Sequence, residues 1–110
     1  MTDTLAPTTS AVVQERRVVT AIPGPKSQAL RERRLKVVPV GVTAALPVYI
    51  ERAHGAILVD VDGNQFIDLG AGIGVTTIGH TDDAVVAGAT EQLEKLTHTF
   101  AFVRAMKGPR

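Results

Sequence analysis

The chain has no cysteine and no tryptophan, and its aromatic side chains amount to three Phe and one Tyr. Without cysteine there is no disulfide framework and no thiolate metal site, which fits a cytoplasmic protein. Aromatic rings supply much of the area that small cores bury, so their scarcity predicts marginal stability for the isolated chain. Long apolar runs are missing too. Nothing approaches the roughly 18–20 apolar residues of a membrane span, and no membrane partner is expected. The first residues, MTDTLAPTTSAVVQERR, have no basic start followed by an apolar stretch, so no secretory signal is expected.

What is present amounts to 110 residues, enough for one domain at most. The net charge of +1 hides a segregation. Lys26, Arg31, Arg33, Arg34 and Lys36 oppose only Glu32 between residues 23 and 38, whereas the residues after 38 carry more acid than base. Such a basic patch attracts nucleic acid or anionic surfaces, or else forms a solvated helix face or one that docks on an acidic partner. A nucleic-acid module would interleave aromatic residues with the basic ones. None stands between 26 and 36, and no nucleic-acid partner is expected.

Along the chain, residues 1–22 are rich in Thr, Ala, Ser and Val without a sustained period, and read as a disordered or loosely attached tail. Pro23-Gly24-Pro25 then breaks the chain, and Ser27–Val37 is full of helix formers until Pro39 and Gly41 stop it. Glu32 and Lys36 are spaced for a surface pair along that helix. Leu46–Arg52 reads as a strand. Ile57–Val61 and Gln65–Leu69 flank Asp62-Gly63-Asn64, and an Asp-Gly turn between β-formers is a strong hairpin signal. A last helix is expected from an N-cap at Thr81 or Asp82 to about Leu96. Val85, Ala89, Leu93 and Leu96 form its apolar stripe, and Glu91 and Lys95 stand four apart. Thr97–Val103 then reads as an apolar strand-like piece before an abrupt basic end, RAMKGPR, which suggests a fragment boundary.

No reactive set emerges from these pieces. Gly70-x-Gly72-x-Gly74 has its third glycine one place early for a dinucleotide fingerprint, and it follows an antiparallel hairpin rather than a parallel strand. His54, His80 and His98 are too far apart for usual zinc spacing, and no metal site is expected. His80, behind Gly79 at the head of a helix, is suited to satisfying backbone groups in the turn. Asp62 is explained by its turn, while Asp60 and Asp68 have no basic partner close in sequence. There is no nucleophile elbow and no phosphate-binding GxxxxGK[ST] loop. The glycines of Gly70–Val75 leave a bare backbone on which another group can approach Ile73 closely.

The order of the pieces is more specific than any one of them. IPGPKSQAL, then LPVYIERAHGAILVDVDGNQFIDLGAGIGVTTIGH, then VVAGATEQLEKLTHT resembles the N-terminal part of class III pyridoxal-phosphate aminotransferases, most of all the branch acting on 4-aminobutyrate. Asp60, Gly63, Asp68, Gly72, Ile73, Gly79 and His80 stand in the family's register. The resemblance implies an α+β fold: helix, antiparallel hairpin or meander, helix. This would be the first part of the small domain of a fold-type I enzyme, over residues 23–110, truncated before the large domain. It also implies a homodimer, pyridoxal phosphate as cofactor, and amino transfer from 4-aminobutyrate to 2-oxoglutarate. The family's apolar substrate-lining residue falls on Ile73.

Two departures stand out. Asp83 occupies a position where the family commonly has proline, and Phe100-Ala101-Phe102 stand where it often has cysteine and a polar residue. The family's phosphate-holding segment, its acidic partner of the pyridine nitrogen and its cofactor-bearing lysine lie further along than this chain reaches. Lys26, Lys36, Lys95 and Lys107 match none of them. The expectation is therefore no catalytic and no cofactor-binding residue here, and a chain inactive alone. An alternative role is assembly with a separately encoded aminotransferase remainder.

Overall fold

A computed structural model of the chain describes residues 12–42 and 44–98. The elements run α1 (Pro25–Val37), β1 (Ile50–His54), β2 (Ile57–Asp60), β3 (Gln65–Ile67), α2 (Ala71–Gly74) and α3 (Asp83–Lys95). The strands form one antiparallel sheet in the order β1-β2-β3. The expected helix, hairpin and helix are all present.

The hairpin sets the rest. β2 pairs with β3 through Ile57↔Ile67, Leu58↔Phe66 and Val59↔Gln65. Alternation along β2 sends Ile57 and Val59 to one face, where Val12 joins them as the buried apolar cluster. The turn between the strands is built around Asp60, which is fully buried. Its Oδ1 accepts the N–H groups of Asp62 and Asn64 at 3.0 and 2.8 Å, and its Oδ2 accepts Asn64 Nδ2–H at 2.8 Å. A carboxylate bonding to N–H groups a few residues on fixes a tight turn in the way an Asx-turn does.

β1 begins later than expected, at Ile50 rather than Leu46. Pro47 has no N–H to give a ladder, and β2 ends at Asp60, opposite Ile50. Beyond that pair Val61 N–H reaches back to Tyr49 O at 2.9 Å.

Residues 12–22 correct the expectation of a loose tail through residue 22; residues 1–11 of that tail lie outside the described residues. Arg17 bridges to Gln65 in antiparallel fashion, occupying the outer edge of β3. Asn64, fully buried, accepts the N–H groups of Val19 and Thr20 on Oδ1 at 2.8 and 3.0 Å, and donates to Thr20 Oγ1 at 2.9 Å. Gln14 donates to the carbonyls of Val12 and His54 and accepts the N–H of Ala56. The side-chain amides of Asn64 and Gln14 thus stitch this strap across the sheet, and local composition gave no sign of it.

Asp62 also does more than close its turn. α1 starts at Pro25, two residues before the expected Ser27, with proline at the first helical position where its missing N–H costs nothing. The next two N–H groups, of Lys26 and Ser27, donate to Asp62 Oδ1 and Oδ2 at 2.7 and 2.9 Å. A residue of the hairpin turn therefore caps a helix 35 positions earlier. This contact is why Gly24 is glycine: a Cβ there would sit 2.3 Å from Asp62 Cγ. Partial desolvation raises the Asp62 pKa. The neighbouring Ser27 hydroxyl, the backbone N–H bonds of Lys26 and Ser27 and the Lys26 charge outweigh it and leave the pKa lowered.

α3 starts where expected. Asp82 is the N-cap of the two candidates, its Oδ1 accepting the N–H groups of Ala84 and Val85 at 3.1 Å. Lys95 pairs with Glu91 on the exposed surface, whereas no ion pair forms between Glu32 and Lys36 among the described residues. The apolar stripe of α3 is not covered: Val85, Leu93 and Leu96 are all exposed. Of the strand-like piece expected over Thr97–Val103, only Thr97 and His98 are described, and neither is in a strand. Phe102 lies outside the described residues.

Candidate functional site

The glycine-rich stretch after β3 folds into a feature that its alternating glycines only hinted at. Ala71, Gly72, Ile73 and Gly74 all have positive φ, at 45, 61, 61 and 78°. α2 is therefore a left-handed turn rather than an ordinary helical one. Within it Ile73 N–H donates to Gly70 O at 2.7 Å, and the N–H groups of Val75 and Thr76 donate to Ala71 O at 2.8 and 3.0 Å. The Ile73 side chain is 98% exposed, as Leu69 before it is 92% exposed.

Both ends of this turn are fastened. Asp68 Oδ1 accepts the N–H groups of Gly70 and Ala71, each at 2.9 Å. Its Oδ2 accepts His80 Nε2–H at 2.7 Å. His80 in turn exchanges both backbone hydrogen bonds with Gly55, at 2.8 and 2.9 Å. Gly79, φ 91°, lies so close to that connection that a Cβ would come within 2.9 Å of Gly55 O. The His80 hydrogen bond, then the backbone N–H groups of Ala71 and Gly70 with the His80 charge, hold the Asp68 carboxyl below the ordinary carboxylate range against some desolvation.

Sequence reasoning left Asp68 without a partner, and the partner is His80, twelve residues on. The available signal was that both flank one glycine-rich turn. The backbone role expected for His80 is met through Gly55, while its imidazole goes to Asp68. His54 stands apart from this pair: its Nδ1–H donates to Thr81 Oγ1, which donates to Ala53 O. His98 is exposed. Among the described residues no group of three or more His, Asp or Glu is placed to hold a metal ion.

His54, His80 and the hairpin carboxylates thus organise backbone. An open cleft of ≈ 330 Å³ beside the pair is lined by Gly55, Asp68, Thr76 and His80, with no lysine. Lys26, Lys36 and Lys95 are exposed at the surface. The arrangement presents an exposed apolar side chain on a loop tied at both ends.

Comparison with known proteins gives the family. The family model described as Aminotransferase class-III matches residues 37–107. The chain belongs to the class III aminotransferases. The 4-aminobutyrate aminotransferase of Mycobacterium tuberculosis is 50% identical over 99 residues, covering 90% of this chain and 22% of that protein. An alanine/serine racemase from Pyrococcus horikoshii is 36% identical over 84 residues, 76% of this chain and 18% of that one. Among solved structures, the acetylornithine aminotransferase from Elizabethkingia anophelis superposes with a TM-score of 0.67 at 26% identity, over 74% of this chain and 21% of that chain. The chain spans about a fifth of the length of these relatives. The α+β unit of helix, antiparallel sheet and helix is therefore the corresponding part of the aminotransferase fold, as the resemblance implied. No helix among the described residues is long and apolar enough to cross a membrane.

Proposed function

We propose that this chain supplies the opening segment of the small domain of a 4-aminobutyrate transaminase, in which Ile73 forms part of the substrate-facing wall. The observation that carries the proposal is the 50% identity to 4-aminobutyrate aminotransferases across nearly the whole chain. The exposed Ile73 on its fastened turn supports the residue assignment. In this reading the whole enzyme is a cytoplasmic homodimer. It moves the amino group of 4-aminobutyrate to 2-oxoglutarate, with pyridoxal phosphate supplying the electron sink.

The described residues do not fit that cofactor by themselves. Their lysines stand on exposed helix surface, and the lysine-free cleft beside Asp68 offers a carboxylate, the wrong charge for a phosphate. The proposal therefore assigns to this chain scaffold and an apolar flank, and assigns the reactive amine to residues beyond those described. An assembly role belongs to the same reading, because the uncovered stripe of α3 needs a partner surface.

The test is complementation. The purified chain with pyridoxal phosphate is expected to form no lysine–cofactor adduct and to leave 4-aminobutyrate unconverted. Mixed with the remaining part of a mycobacterial relative, it is expected to co-elute on size exclusion and to restore 2-oxoglutarate-dependent conversion. Conversion by the chain alone would overturn the scaffold role, and absence of co-elution would overturn the assembly role.

A further inference from the structure

Ile73 combines two features that rarely coincide. It is β-branched, yet its backbone sits at φ 61°, ψ 56°. In the left-handed region the Cβ crowds the following carbonyl, and for a β-branched residue such a φ is a genuine outlier. Strained residues of this kind persist where their surroundings over-determine them. Packing does not do so here, because the Ile73 side chain is 98% exposed and touches little of its own chain. Ala71, also non-glycine, shares the same hand of backbone. The turn must be held through its two ends.

The bonds at those ends converge on two side chains. Asp68 alone serves both: one carboxylate oxygen takes the first two N–H groups of the turn, and the other takes His80 Nε2–H. His80 closes the loop by its backbone exchange with Gly55, at the β1–β2 connection. The carboxylate therefore ties residues 70–71 to residue 80, and residue 80 to the sheet. Glu51 and Arg52 of β1 are the other charged side chains bordering this side of the pair.

We propose that Asp68 and His80 are positioning residues that lock the Ala71–Gly74 turn in its left-handed form and so aim Ile73 outward at the substrate. The clause about substrate rests on the reading of Ile73 given above; the lock itself does not. Neither residue need touch substrate, because each acts through the backbone that carries Ile73.

The test reads backbone geometry in the full chain by NMR. The HN–Hα coupling and carbon shifts of Ile73 report the sign of φ, amide exchange at Gly70 and Ala71 reports the Asp68 bonds, and exchange at Leu58 and Phe66 reports the hairpin. In Asp68→Ala, Ile73 is expected to lose its positive-φ signature, and Gly70 and Ala71 to exchange at least about tenfold faster while the hairpin stays protected. Asp68→Asn retains an acceptor oxygen and is expected to keep the two amides protected. His80→Gln retains a side-chain N–H donor and is expected to preserve the Ile73 signature where His80→Ala loses it. Should Asp68→Ala unfold the hairpin, the two His80 variants decide. An unchanged Ile73 signature in His80→Ala would overturn the lock, as would His80→Gln behaving like His80→Ala. Because no turnover is measured, failure here leaves the transaminase reading standing, and failure of complementation leaves the lock standing.

Discussion

Replacing Asn64 by alanine should cost more stability than its small size suggests. Its side chain makes four hydrogen bonds inside a fully enclosed site: two accepted from Val19 and Thr20, two donated to Thr20 Oγ1 and Asp60 Oδ2. If the strap moves away and water reaches Val19 and Thr20, those bonds cost about 1 kcal/mol each, the net worth of an ordinary hydrogen bond. Asp60 Oδ2 is buried and loses its donor, which adds roughly 1.5–3 kcal/mol for a bond to a charged group. The sum is about 3.5–5 kcal/mol, comparable to the whole stability of a small domain with so slight a core. Urea unfolding followed by circular dichroism at neutral pH measures it directly. Asn64→Asp sharpens the test, because it keeps an acceptor for the strap but sets a second carboxylate against Asp60. It should be as damaging as alanine at neutral pH and should recover part of the loss in acid. An Asn64→Ala variant within about 0.5 kcal/mol of the parent, the range of ordinary surface changes, would refute this account of how the strap is held.

Gly24→Ala forces a Cβ into the Asp62 carboxylate, so α1 should lose its cap. Unfolding free energy should fall by about 1–3 kcal/mol, with amide protection lost first at Lys26 and Ser27; unchanged protection there would contradict the cap. Acidification supplies another check. Asp62 and Asp68 both have lowered pKa values in the folded chain, so the unfolded chain binds more protons. Their contribution is complete above the ordinary carboxylate range near pH 4 and disappears as pH falls through their lowered folded values. The thermal midpoint should be flat near neutrality and fall in acid, less steeply in Asp68→Asn; a midpoint that rises on acidification would contradict the assigned contacts.

How far the residues alone could be read depended on the distance between the groups involved. The hairpin was legible because Asp62-Gly63-Asn64 and its flanking strands lie within a dozen residues. α3 was legible because Asp82 caps it locally and its apolar spacing is regular. The strap was not, since Gln14 reaches across 40 positions to His54 and Asn64 across 45 to Val19, with no periodic signal in between. The same separation hid the capping role of Asp62. The start of β1 depended on where its partner strand ends, which β-propensity does not encode. At the candidate site, alternating glycines announced unusual backbone, yet nothing local announced that Asp68 and His80 would hold it. Ile73 was singled out by the family's motif register rather than by any periodicity.

The most direct measurement of the central claim is the specificity of a complemented enzyme carrying Ile73→Ala. If this chain contributes an apolar wall and no reactive group, cofactor loading should match the parent while kcat/KM for 4-aminobutyrate falls about tenfold or more, as for several methyl(ene) groups lost from a pocket. An unchanged kcat/KM with normal assembly would place the substrate elsewhere and contradict the account.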